Sequence, residues 1–276
     1  MFELFITDLD GTLLDDEKRI SEENLEAVRN LKKKGVPVSV FTGRNFYSAF
    51  KYINELQIEG LVALQNGALI IEVPSRRVIN EISLEARIAD ALYKKTAEYD
   101  FKVLGYTRYE DTPDMYAENE FWVGLPFEKY MERNKDRLKM VDSLQTFIDE
   151  RDEIGQLAVI GEEKELEAFR VEMAARFGKK ISTVLSPVQN GTGFLEFFGP
   201  SVSKGYALEP ILKENNTTAA KTVFIGDNYN DLPLMKKVGM PVATANAPRY
   251  IKDHCKMVVT ANNNHAVKEA VETLFF

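Results

Sequence analysis

The chain has 276 residues, 35 Lys+Arg against 43 Asp+Glu, one cysteine (Cys255) and two histidines (His254 and His265). At roughly 100–200 residues per domain, this length holds one large domain or two smaller ones, with a core that needs no staples. The formal net charge of −8 argues against non-specific nucleic-acid binding and against docking on anionic membranes. A single cysteine excludes an intrachain disulfide and a multi-cysteine metal site, and two histidines exclude a His-rich zinc site. No uninterrupted apolar run is long enough for a membrane span. The opening MFELFITDLDG lacks a basic, then apolar leader, so a cytoplasmic protein is expected.

Residues 2–7 read as a short apolar strand running straight into Asp8-Leu9-Asp10-Gly11-Thr12. The next helix carries full punctuation: Ser21 as N-cap, Ile20 and Leu25 as a hydrophobic staple, and Leu25, Val28 and Leu31 on one face. Lys32, Lys33 and Lys34 favour the negative end of its dipole, and Gly35 ends it. A buried strand (36–41) then stops at Thr42-Gly43-Arg44, followed by a helix with Phe46, Phe50 and Ile53 on one side and a strand at 61–64. Such alternation predicts a parallel sheet wrapped by helices. A hairpin (69–73 and 78–82) ends this run, and residues 83–188 change in character, reading as an inserted second domain. Strand–helix alternation resumes with TVFIGD (222–227), MPVAT (240–244), KMVVT (256–260) and a last helix from about 264.

Three predicted strands thus end in polar clusters: Asp8/Asp10, Thr42-Gly43-Arg44, and Gly226-Asp227-Asn228-Tyr229-Asn230-Asp231. Ligand sites in open α/β sheets lie beyond the carboxyl ends of the strands. Each cluster alone is most simply a solvated turn. A chance Asp-x-Asp-Gly-Thr in a chain of this size has a probability well below about 1%, and the other clusters also fall at strand ends. Gly191-Thr-Gly193 lacks the third glycine of a dinucleotide loop, and neither a Walker motif nor a Gly-x-Ser-x-Gly elbow occurs.

Asp8-Leu-Asp10-Gly-Thr12, Thr42-Gly43-Arg44, Lys204-Gly205 and Gly226-Asp227-x-x-Asn230-Asp231 together resemble the four ordered motifs of the haloacid dehalogenase-like superfamily. The turn Asn66-Gly67-Ala68 and the late Asn246-Ala247 are similar to its Cof-type phosphatase branch, while Asn264-His265-Ala266-Val267 departs from the acid-Gly-Val usual there. The resemblance implies a Rossmann-like α/β core with a mostly parallel sheet (1–82 and 189–276) and an inserted α/β cap (83–188). It implies Asp8 as nucleophile forming an aspartyl-phosphate and Asp10 as general acid, then base. Mg²⁺ would be held by Asp8, Asp227 and the Asp10 carbonyl, with Asp231 either ligating or orienting the metal's waters. Thr42 and Lys204 would contact the phosphate, the backbone at Leu9, Gly11 and Gly43 would add donors, and Asn230 would touch the phosphate or order its loop. Lys204, after Ser203, is expected in the first turn of a helix, and Arg44 is read as structural.

The expected activity is hydrolysis of small phosphorylated metabolites, commonly sugar phosphates. A phosphomutase on the same scaffold, or a retired metabolite-binding protein, are the alternatives. The aromatic run Tyr106, Tyr109, Tyr116, Phe121 and Trp122 is read chiefly as cap core. Residues 83–188 hold 16 Lys+Arg and 22 Asp+Glu (−6), leaving 19 and 21 (−2) for the rest. An acidic lid disfavours polyanionic leaving groups, so a polar, lightly charged one such as a sugar is expected.

Overall fold

The computed structural model describes residues 1–109, 113–118, 131–132, 134–187 and 191–276, so Phe121 and Trp122 of the aromatic run lie outside the described residues. The chain divides into two units, Met1–Glu81 with Ser203–Phe276, and Ile82–Val202. The first opens with β1 (Leu4–Thr7), whose four residues are all buried, as expected of a central parallel strand. Helix α1 (Glu22–Lys33) starts where Ser21 accepts a hydrogen bond from the Asn24 N–H, and it buries Leu25, Val28 and Leu31. Then come β2 (Val38–Val40), α2 (Phe46–Glu55) and β3 (Gly60–Leu64). Strand β3 continues beside Phe41 through a single parallel bridge at Ala63, then turns antiparallel into β4 (Leu69–Val73) and β5 (Val78–Glu81).

The second unit contains β6 (Leu84–Glu85), α3 (Ala86–Thr96), β7 (Lys102–Tyr106), β8 (Met115–Glu118), β9 (Leu138–Val141), α4 (Leu144–Asp149), β10 (Glu153–Ile154), β11 (Gln156–Glu162), α5 (Glu163–Phe177), β12 (Ser182–Pro187) and β13 (Thr192–Phe198). Its main sheet runs β12-β13-β11-β7-β8-β9, antiparallel except between β8 and β9. Period-two alternation sorts its two faces. Leu157 and Val159 pack with Leu92, Phe147 and Phe169 of α3, α4 and α5, while Ala158 and Ile160 pack with Leu104, Tyr106 and Met115. Tyr106 and Tyr116 are buried in these clusters.

The expected return to the core at 189 is corrected by β13. That strand lies between β11 and β12, so this unit extends to Val202. Its apolar run GFLEFF gives no local sign of which sheet it joins; the pairing partners decide. The two ends of the insertion pass side by side at Gly199, where a Cβ would stand 2.2 Å from the Ser83 carbonyl oxygen.

The first unit resumes with α6 (Leu208–Glu214), β14 (Thr222–Gly226), α7 (Leu232–Met235), β15 (Met240–Thr244), α8 (Arg249–Lys252), β16 (Met257–Val259) and α9 (Ala266–Phe275). Lys204 precedes α6 by four residues. It sits in a turn, not a first helical turn, because the Ser203 side chain and carbonyl take the Tyr206 N–H locally. The all-parallel sheet runs β16-β15-β14-β1-β2, with Thr7 opposite both Ile225 and Val40. That register brings three strand ends level, so the segments beginning at Asp8, Phe41 and Asp227 emerge on one rim. His265, with φ +62, brings its Nδ1 within 2.9 Å of Ser21 Oγ and so ties α9 to the cap of α1.

Ser21→Ala removes one hydrogen bond at the α1 N-cap and the contact with His265. The expected loss is about 1 kcal/mol, read as a fall of roughly 2–4 °C in a thermal melt.

Candidate active site

Asp8 is the first residue after β1, and its amide donates to the Ile225 carbonyl, so the neighbouring strand fixes its backbone. The side chain is buried, and its Oδ1 lies 2.9 Å from the ammonium of Lys204. Lys204 is wholly buried and also reaches Asp231 Oδ1 at 2.5 Å. A lysine is almost never buried unless paired, and here two carboxylates hold it. Burial disfavours its charge, but Asp231 and Asp8 more than offset this, and the ammonium stays charged well above the usual lysine range.

Asp231 has spent its other oxygen too: Oδ2 accepts from the amides of Asp227 and Asn228, at 2.9 and 3.0 Å. It therefore shapes the loop after β14 and anchors Lys204. Asp227 accepts from the Thr12 hydroxyl at 3.0 Å. Gly11, at φ +72, makes that approach possible, because a Cβ there would lie 2.3 Å from Asp227 Oδ2. Oxygens of Asp8, Asp227 and Asp231 all lie within 4.8 Å of one another. Burial pushes the Asp8 carboxyl up to about 7; the Asp231 and Asp10 charges add to this and Lys204 opposes it. Burial likewise pushes Asp227 up to about 8, helped by Asp231 and Asp8. Three aspartates less one lysine leave two net negative charges on oxygen donors alone. That donor set fits a divalent cation of the hard class.

Asp10 lies in a different environment. Its Oδ2 accepts from Arg44 Nε at 2.5 Å, and its Oδ1 from Arg44 Nη2 and Lys18 Nζ, each at 2.8 Å. Burial alone raises its pKa, but the two cations prevail and hold the carboxyl well below the usual range. Arg44, read from the sequence as structural, therefore belongs to the site. Thr42 is buried; its Oγ1 accepts the Arg44 amide at 3.1 Å and its carbonyl accepts the Asn66 amide. Asn66 (φ +57) then takes Asn230 Nδ2 on its Oδ1 at 2.9 Å and lies against Gly43. Leu9 is fully buried and its carbonyl accepts the Thr12 and Leu14 amides, which curls the loop. Asn246 Nδ2 donates to the Gly11 carbonyl at 2.9 Å.

Sequence reasoning missed the parts played by Thr12, Lys18 and Arg44. Thr12 and Arg44 stand inside motifs already singled out, whereas Lys18 carries no local signal. It reaches Asp10 because it adopts φ +63 and Tyr52 Oη donates to its carbonyl at 2.8 Å.

The profile of the haloacid dehalogenase-like hydrolases matches residues 5–271. The chain belongs to that family. Among relatives, the 5-amino-6-(5-phospho-D-ribitylamino)uracil phosphatase YcsE of Bacillus subtilis (strain 168) is 23% identical, covering 97% of this chain and 94% of its own. The phosphoglycolate phosphatase of Methanobrevibacter smithii is 25% identical, covering 96% and 95%. A haloacid dehalogenase-like hydrolase from Bacteroides thetaiotaomicron is similar in structure, with a TM-score of 0.83, 26% identity and full coverage of both chains.

The raised carboxyls of Asp8 and Asp227 ionise more easily in the unfolded chain than in the fold. The metal-free protein is therefore expected to lose stability as pH rises from about 4 toward about 8. At the upper end Asp227→Asn should raise the melting temperature, and added Mg²⁺ should raise that of the unsubstituted protein by a few degrees. Both effects should shrink near pH 5, as thermal melts in chelator and in Mg²⁺ would record.

Proposed function

We propose that the protein is a Mg²⁺-dependent phosphomonoesterase that hydrolyses small phosphorylated metabolites through an aspartyl-phosphate on Asp8, in the cytoplasm. The observation that carries this reading is the buried Asp8 beside Lys204, within a cluster of aspartate oxygens. Asp8 and Asp227 would hold the metal, with the Asp10 carbonyl. Asp231, whose oxygens already serve Lys204 and two amides, would orient the assembly. The bound cation would neutralise charge on the phosphoryl oxygens and lower the repulsion between them and the carboxylates.

In the first step an Asp8 oxygen attacks phosphorus, the bond from phosphorus to the leaving oxygen breaks, and Asp10 passes a proton to that oxygen. In the second, Asp10 takes a proton from water, the hydroxide attacks phosphorus, and the acyl-phosphate bond returns its electron pair to Asp8. Arg44 and Lys18 keep Asp10 ionised in the free protein, so the proton it passes to the leaving oxygen would enter with a substrate bound as the phosphate monoanion, and the carboxylate so restored would take the proton from water. Thr42 and Lys204 would bind the phosphoryl oxygens, with the amides of Leu9, Gly11 and Gly43 as further donors. Asn230, held by Asn66, would complete that side of the site.

Residues 82–202 would serve as the cap, excluding water and selecting the leaving group. Relatives named for a phosphoribityl compound and for phosphoglycolate support the class of small phosphomonoesters. Sugar phosphates are the narrower proposal, resting on the surplus of acidic residues in the inserted segment.

Phosphate release from a panel of phosphorylated metabolites, with and without Mg²⁺, tests the reading. Asp8→Asn is expected to lower turnover by at least on the order of 10³-fold. Asp10→Asn should cost on the order of 10²–10⁴-fold. Activity that survives Asp8→Asn or ignores the metal sinks the mechanism. A rearranged phosphate ester without free phosphate identifies a mutase instead, and a bisphosphate as best substrate refutes the sugar assignment.

A further inference from the structure

Asp10 is more than a third exposed, with a side-chain accessibility of 38%, so packing alone does not fix its rotamer. Two cations do. Arg44 grips both carboxylate oxygens with its planar fork, and Lys18 adds a third donor on Oδ1. Most surface ion pairs contribute little, because long side chains wander. These two do not have that freedom.

Arg44 directly follows Thr42-Gly43, and its own amide is held by the Thr42 hydroxyl. Its Nη1 donates to the Ser48 carbonyl at 3.2 Å, and its guanidinium lies 5.0 Å from the centre of the Tyr52 ring. Tyr52, buried in α2, also donates its hydroxyl to the Lys18 carbonyl. One tyrosine thus serves both residues: its ring lies beside the Arg44 guanidinium and its hydroxyl holds the main chain of Lys18.

A carboxylate has about four lone-pair sites. Three on Asp10 are taken: both on Oδ1, by Arg44 Nη2 and Lys18, and one on Oδ2, by Arg44 Nε. Building on the acid–base role proposed for Asp10, we infer that Arg44, with Lys18, is the positioning device of that carboxylate. It locks the carboxylate plane and leaves one Oδ2 lone pair as the point of proton exchange with the leaving oxygen and with water. Arginine is required because only a planar guanidinium meets both oxygens at once.

The test is pre-steady-state turnover of p-nitrophenyl phosphate, compared with steady-state turnover of glycerol 3-phosphate, in Mg²⁺. Nitrophenolate leaves without a proton, whereas an alkoxide does not. Arg44→Ala should therefore release nitrophenolate in a burst approaching one equivalent and then stall, because breakdown of the phosphoenzyme still needs an aimed base. Steady-state kcat should fall on the order of 10- to 100-fold, with KM for p-nitrophenyl phosphate falling alongside it because phosphoenzyme breakdown limits the rate, and the loss should be larger on the alkyl substrate. Arg44→Lys should resemble Arg44→Ala, guanidinium ion should partly restore Arg44→Ala, and Lys18→Ala should move the same way by less. Arg44→Gln provides the same comparison if the alanine variant does not fold.

Wild-type substrate ratios without a burst in the Arg44 variants, while Asp10→Asn bursts and stalls, overturn this inference alone. Normal turnover by Asp10→Asn overturns the acid–base role beneath it.

Discussion

The site depends on one buried cation. Lys204 has no exposed surface, and it meets Asp8 and Asp231 at 2.9 and 2.5 Å. Removing water from two carboxylates is costly, and their attraction to a lysine offsets that cost only when the geometry is tight. Here the pairing also organises backbone. Asp231 turns its second oxygen to the amides of Asp227 and Asn228, so the loop after β14 and the turn before α6 are fixed through one ammonium. The other end of the cluster is closed by Thr12, whose hydroxyl holds Asp227. Burial of Asp8 and Asp227 is what raises their carboxyls, and the neighbouring carboxylate charges add to it.

Much of the arrangement is legible in the sequence, for a physical reason. A buried parallel strand must be apolar along its length and polar where it leaves the sheet. LFIT before Asp8 and TVFIG before Asp227 follow that rule, so both strand ends and their aspartates are readable without coordinates. Helix α1 is equally plain, since its cap and its apolar stripe are local signals. Local signals fail where long-range pairing decides. GFLEFF of β13 has the composition of a core strand, and only its partners β11 and β12 assign it to the inserted unit. Lys204 shows the same limit at the scale of one residue: the serine before it signals a cap, yet the serine closes a turn and α6 begins later.

Side-chain reach is the least legible quantity. Arg44 follows a recognisable strand end, but nothing adjacent to it in sequence says that it extends to Asp10. That contact depends on α2 starting at once after Asn45, with the Ser48 carbonyl and the Tyr52 ring placed to receive the guanidinium. Lys18 is harder still, because its backbone takes a left-handed conformation that its residue type does not suggest. Thr42 and Asn230, proposed to face the phosphate, are linked through Asn66, again at a positive φ. Strain of this kind persists only where surrounding contacts over-determine it. Lys18 and Asn66 are two such positions in segments that touch the candidate site, while Gln57, Arg76 and Asn216 adopt the same conformation elsewhere.

Asp8 and Asp10 are the same residue type, two positions apart, and strand periodicity would give them equivalent surroundings. The curl after β1 separates them. Leu9 between them is buried, its carbonyl takes the Thr12 and Leu14 amides, and Gly11 turns the chain at φ +72. Asp8 is thereby left under the sheet edge, where burial raises its carboxyl, while Asp10 reaches the rim, where two cations lower its own. Environments that displace two carboxyls in opposite directions make identical residues chemically distinct. The division does not come from the motif's residue types. It comes from burial beside the Asp231 charge on one side and from Arg44 and Lys18 on the other, while Lys204, 196 positions from Asp8 in sequence (204 − 8) and brought there only by the fold, limits the rise.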